Sequence, residues 1–290
     1  AKRTGADFSA LYFEDTVRHS LGLVSSSIED AVSARNIGAG IRLLKGTRCV
    51  YAYGNDISPS GLLALADSAA AALSGSAEIR DIVLTPAYVP RMNPIVIPCY
   101  KGDIRRKADL LRRADAAARA KSPEIAQVNA AVREQYKTVI IANSEGLYAQ
   151  DERAYCRFFV SAVAHSAGEN QSGSASPGAH AGSEFLDTLD IDALARSAAD
   201  CAVTMLHAPL CPAGIMPVVM DNGFGGVIFH EACGHSLEAT SVAGSPGRRA
   251  SMLLGMGWPV TARAVSTTCR LLKPTPLPRL NTSLWPPCSR

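Results

Sequence analysis

Two imidazoles and a carboxylate stand together in His230-Glu231-Ala232-Cys233-Gly234-His235. Imidazole nitrogens bind zinc well, and a catalytic zinc site needs protein ligands in fixed geometry with one position open to water. A carboxylate beside that water can take its proton while the metal polarises a carbonyl. His230 and His235 are therefore the candidate metal ligands, and Glu231 is the candidate general base. The spacing is i and i+5. On a regular α-helix two such side chains point about 140° apart, too far to share an ion. A π turn, with one extra residue, brings i and i+5 together. Gly234 eases that distortion. The motif thus predicts a bulged or broken helix at Cys233-Gly234.

A third ligand is required. Cys233 and Glu238 lie nearest in sequence, and Cys269 and Cys288 follow. Glu238, one turn past His235, fits a carboxylate that orients the imidazole or a solvated helix residue. Two readings compete with the metal site. One is Cys233 as a nucleophile with His235 as its base. The other is a chance pairing of hydrogen-bonded histidines. The remaining four, His19, His165, His180 and His207, have no paired spacing and read as ordinary surface or core residues.

The elements that must position this motif alternate between strand and helix patterns. Ala10–Glu14, His19–Val24, Gly38–Gly46 and Cys49–Tyr53 read as a β-meander with a turn at Gly46-Thr47. Ser58-Pro59 opens a helix, Ser as N-cap and Pro in the first turn, running to Leu73. A proline-rich connector covers 82–100. Helices are expected from Ile104 to Ala120 and from Ser122-Pro123 to Arg133. Lys137–Ala142 and Tyr155–Ala164 read as strands, with Asn143–Gly146 as a turn. The Gly/Ser-rich stretch 166–183 reads as a mobile loop, and Asp190 starts a helix ending near His207. Pro212–Met220 reads as a buried strand. Gly226–Ala239 reads as the motif helix, with Val227, Ile228, Ala232 and Leu237 on its buried stripe.

Hydrophobic residues make up 47% of the 290 and charged residues 19%, which suits a folded core rather than disorder. No apolar run reaches membrane-span length, and the first residues lack the apolar core of a signal peptide. The cytoplasm is the expected location. The lack of a starting Met suggests a trimmed or incomplete N-terminus. Eight scattered cysteines without a CxxC pair read mostly as buried thiols in a reducing compartment. The net charge of +3 comes from residues 244–290, which hold seven Lys+Arg and no acid; the rest has 22 basic and 26 acidic residues, net −4. That balance argues against nucleic acid as a partner. The same 47 residues hold seven prolines and no clear periodicity. They read as a basic disordered tail or as out-of-frame translation after Ala243.

Several blocks resemble the TldD/PmbA metallopeptidase family, on its TldD side. They are Leu11–Thr16, Gly38–Arg42, Tyr51–Tyr53, Pro212–Val219 and above all Gly226–Ala239 with the motif. The resemblance implies a zinc peptidase of the cytosol that hydrolyses unfolded or short peptides. It implies His230 and His235 as ligands, Glu231 as the catalytic carboxylate, and association with a PmbA/TldE-type subunit or as a homodimer. The family's third ligand is a Cys in a downstream β-rich domain, and the likeness stops after Ala243. The alternative is a truncated, inactive family member that acts as an interaction partner. The expected fold class is α+β: an N-terminal β-meander with helices, a second helix-and-sheet region, and the start of an incomplete β-rich C-terminal domain. The expected divisions are 1–80, 81–209, 210–243 with the motif helix, and the tail 244–290.

Overall fold

The structure, a computed structural model, describes residues 5–46, 48–73, 82–90, 92–215, 217, 219–220, 225–235 and 238. The expectations for residues 239–290, the out-of-frame tail included, lie outside the described residues, as does Leu237. The chain divides into a unit ending at Leu210 and a second beginning at Cys211.

The first unit is α+β and is built on two long hairpins. β1 (Phe8–Val24) pairs antiparallel with β2 (Ser27–Lys45), from Phe8 opposite Leu44 to Val24 opposite Ser27. Ser25 and Ser26 both take positive φ at the tip, as a tight hairpin turn demands. β2 continues through Gly46, also at positive φ, into β3 (Arg48–Gly54). The second hairpin joins β5 (Ile125–Asn143) to β6 (Leu147–Ser166). Its turn is closed by the Asn143 side chain, which accepts from the backbone N–H of Glu145 and of Leu147. The hairpins join where β1 pairs with β5. The sheet order is β3-β2-β1-β5-β6-β4, with β4 (Thr85–Pro86) parallel to β6. β7 (Glu169–Ala175) and β8 (Gly178–Ala179) also pair with β6. Strands from both sides of position 80 thus share one sheet.

Three capped helices complete the unit. α1 (Pro59–Ala71) starts with Ser58 accepting from the Gly61 N–H. α2 (Ile104–Arg119) starts with Asp103 accepting from Arg105, and α3 (Ile191–His207) with Asp190 accepting from Ala193. Every second residue of β5 from Val128 to Glu134, and of β6 from Ala154 to Ala164, is buried. Phe158, Val132, Leu21 and Leu23 form one core with Leu111 and Ala114 of α2 and Ala195 and Ala199 of α3. A smaller core joins Ile41 and Leu43 of β2 to Ala69 of α1 and Leu73. Within the larger layer Glu134 is buried; Lys107 and Ser183 both donate hydrogen bonds to it.

Several expected elements differ. Residues 125–133, expected as helix, are strand, and 123–124 form the turn that enters it. Ala130 and Ala131 favour a helix locally, but β5 is paired along both edges, with β1 and with β6. The stretch 166–183 is not a loop: it turns back at Ala167 and Gly168, both at positive φ, into β7. Gly173 fits there because α3 lies close; a Cβ on it would meet the Ala198 carbonyl oxygen at 2.2 Å. Among the described residues of 212–220 there is no strand, and Ile215 and Val219 are fully exposed. Of the five cysteines whose side chains are described, only Cys99 and Cys156 are buried, while Cys49, Cys201 and Cys211 are exposed. Among the described residues no helix is long and apolar enough to cross a membrane.

Candidate metal centre

The second unit carries the motif on a single stretch of helix. α4 (Gly226–Phe229) runs directly into a π turn over His230–Gly234. The His235 N–H bonds to the His230 carbonyl, five residues back, which defines that turn. Its consequence is the one the spacing requires. The His230 and His235 rings meet edge to face with centroids 4.5 Å apart. A ligand atom from each of His230, Glu231 and His235 lies within 4.8 Å of the others. Gly234 stands against the His230 ring: a Cβ on it would sit 3.0 Å from Nδ1, tighter than side chains normally approach.

Glu238 adds a fourth group. Its carboxylate accepts a hydrogen bond from His235 Nδ1 at 2.7 Å. With Nδ1 bearing the proton, Nε2 keeps the lone pair. That Nε2 lies 3.5 Å from Glu231 Oε2. The hydrogen bond to Glu238, and then the charge of Glu231, raise the His235 pKa above its ordinary value. Of the two sequence readings of Glu238, the structure supports the orienting carboxylate. The signal was the one-turn spacing from His235. Cys233 lies on the π turn by its backbone, while Cys269 and Cys288 fall outside the described residues.

Two imidazole nitrogens, with one carboxylate beside them and a further carboxylate behind one imidazole, form part of a donor set suited to zinc or a similar divalent ion. The residues therefore fit a metal. They are exposed, His235 by 55% and Glu231 by 63%. Of the expected buried stripe, Ile228 and Ala232 face solvent and Val227 is half-buried, while Leu237 lies outside the described residues. The four other histidines have ordinary partners. His207 Nε2 is 3.0 Å from Glu124, His165 Nδ1 is 2.8 Å from Asn170, His19 meets Ser33, and His180 packs on Tyr155.

Residues 10–73 match the family model for PmbA/TldA metallopeptidase domain 1, and residues 101–206 match that for the central domain. The chain belongs to the PmbA/TldD metallopeptidase family. It is 30% identical over 243 residues to a Haemophilus influenzae protein named metalloprotease TldD homolog, covering 80% of this chain and 50% of that one. A Methanothermobacter thermautotrophicus metalloprotease is 27% identical over 224 residues, 76% of this chain and 48% of its own. The chain spans about half the length of these curated relatives. Two solved structures share the fold. One is a candidate modulator of a DNA gyrase from Thermotoga maritima, with TM-score 0.58 and 21% identity over 74% of this chain and 48% of that one. The other is its Bacteroides thetaiotaomicron counterpart, with TM-score 0.57 and 11% identity over 69% and 46%.

Proposed function

We propose that this chain is a TldD-type metallopeptidase of the cytoplasm that hydrolyses unfolded or short peptides. In this reading His230 and His235 hold zinc and Glu231 is the catalytic carboxylate. The observation that carries the proposal is the π turn, which brings together the two imidazoles that a regular helix would splay and leaves Glu231 beside them. The metalloprotease names of the relatives support it.

Zinc bound there would acidify an attacking water and polarise the scissile carbonyl. Glu231 supplies the base: its carboxylate lies beside the ligand cluster and can accept the proton of that water. Glu238 fixes the His235 ring and its tautomer, so that Nε2 rather than Nδ1 faces Glu231. A catalytic zinc usually takes three protein ligands. His230 and His235 supply two; Cys233, Cys269 and Cys288 are the residues to test for the third, Glu238 being engaged with His235 Nδ1.

A second reading rests on the apolar side chains that face solvent before and within the motif helix. Ile215, Val219, Ile228 and Phe229 are exposed. An inactive chain that serves as an interaction partner would use such a surface. An active one would use it to dock a PmbA/TldE-type subunit or a second copy.

Elemental analysis of the purified chain tests the metal. Zinc near one per chain, lost in His230→Ala and in His235→Ala, is the expected result. Glu231→Gln should keep the metal and lose hydrolysis of an unstructured peptide. Metal-free protein in every case would overturn the enzyme reading and leave the interaction partner.

A further inference from the structure

The face of the sheet opposite α2 and α3 carries an unneutralised row of guanidinium groups. Arg133 of β5 and Arg157 of β6 are directly opposed in register, and Arg18 of β1 lies one step along, opposite Gln135. All three line an open cleft of about 750 Å³, which Tyr155 and His180 also line, their rings 4.4 Å apart. Like charges directly opposite on a sheet are destabilising, so the arrangement calls for a compensating group.

The protein does not supply one among the described residues. Arg18 Nε donates to the Gln135 side-chain oxygen at 3.0 Å, and Arg157 Nε donates to Ser176 Oγ at 2.8 Å. These neutral partners aim the guanidiniums without cancelling their charge. Arg133 forms no ion pair among the described residues. A neighbouring hollow lined by Glu29 and Asp30 also borders Arg133, yet no ion pair joins them. Glu134 lines the cleft too, but its carboxylate is held in the core by Lys107 and Ser183. The contrast with the rest of this face is sharp. Lys137 pairs with Glu14 at 2.7 Å, and Arg153 pairs with Asp151 at 2.6 Å.

We infer that the Arg18–Arg133–Arg157 cleft is a binding site for the carboxylates of an acidic peptide segment. Guanidinium forks pair with carboxylates through two parallel hydrogen bonds, and the adjacent aromatic wall of Tyr155 and His180 gives the peptide an apolar contact. A short peptide is favoured over nucleic acid because residues 1–243 carry a net charge of −4, which repels a long polyanion beyond the cleft. The inference stands on these residues alone and does not depend on the metal reading.

The test is fluorescence anisotropy of a labelled hexaglutamate peptide titrated with the full chain. Arg133→Gln/Arg157→Gln is compared with the wild type and with Arg48→Gln, a control on β3 at the far edge of the sheet. Thermal unfolding of each variant confirms that the sheet is intact. The expected result is saturable binding that weakens about tenfold or more in the double variant, is unchanged in Arg48→Gln, and falls between about 50 and 500 mM salt. Binding that is absent, or equal in the double variant and the control, would overturn the proposal. A single-stranded oligonucleotide of equal charge that binds as tightly would overturn the assignment to a peptide. Hexaglutamate binding that persists in His230→Ala separates this cleft from the metal centre.

Discussion

The sheet unit and the motif segment organise their functional side chains in opposite ways. In the sheet unit, buried polar groups are held by residues far apart in sequence: Lys107, Glu134 and Ser183 come from a helix, a strand and a 3-10 turn. In the motif segment everything is local. Nine residues, His230 to Glu238, supply both rings, both carboxylates and the turn that joins them. The first arrangement exists only when the whole unit is folded. The second needs one distorted turn of helix, and it lies in water.

The largest expected effect follows from the buried network. Lys107→Met would leave Glu134 buried with Ser183 as its remaining close donor. Removing one partner of a buried ion pair costs about 3–5 kcal/mol. Urea unfolding should show a loss of that size. A loss under about 1 kcal/mol would mean that water or rearrangement satisfies Glu134, and the contrast between the two regions would fail at its strongest point.

A second effect of up to roughly 3 kcal/mol is written into pH. Burial pushes the Glu14 carboxyl upward, but hydrogen bonds from Lys137, Thr16 and Tyr12 outweigh it and hold the pKa at about 2. The ordinary value is 4.5. A folded-state pKa below the unfolded one means stability that is fully present above 4.5 and lost as pH falls through about 2. Urea midpoints measured across that window should fall for the wild type. Glu14→Gln should be less stable at neutral pH and should lack that part of the slope.

Legibility divides along the same line. The helix starts were readable because a cap is a local device. Ser58 and Asp190 each accept from a nearby N–H as their sequence context implied. The π turn was readable for the same reason, since two candidate ligands at i and i+5 can meet only across such a turn. What escaped was decided at a distance. Residues 125–133 have good helix formers, and only the flanking β1 and β6 make them a strand. The Gly/Ser run at 169–175 looked like a loop because small residues usually mark one. Here Gly173 is small so that α3 can approach. Pro212–Met220 erred in the other direction. Its apolar residues signalled burial, yet Ile215 and Val219 meet no sheet among the described residues.

The orienting carboxylate gives a smaller effect confined to the motif. Glu238→Gln keeps a hydrogen-bond acceptor for His235 Nδ1 but removes the charge behind the ring. Substitution of such partners typically weakens metal binding by about tenfold or more, near 1.4 kcal/mol per tenfold. Zinc competition with a chromogenic chelator should register it, while urea unfolding of the sheet unit should not move. Unchanged zinc affinity would make Glu238 a solvated helix residue after all.

The smallest expected effect is the sharpest comparison. Phe158 is fully buried among β6, α2 and α3, whereas Phe229, the residue before the motif, is 62% exposed. Truncating a buried Phe to Ala typically costs about 3–5 kcal/mol, and exposed substitutions stay within about 0.5 kcal/mol. Phe229→Ser should therefore leave urea unfolding of the chain unchanged while Phe158→Ala shifts it strongly. An exposed Phe beside a candidate metal-ligand cluster still needs a reason. If it docks another chain, Phe229→Ser should reduce self-association in sedimentation velocity, or binding of an added PmbA-type subunit, without touching unfolding. If Phe229→Ser instead destabilises the isolated chain by more than about 1 kcal/mol, the residue is packed in solution, and the motif segment shares in the cooperative fold from which its exposure sets it apart.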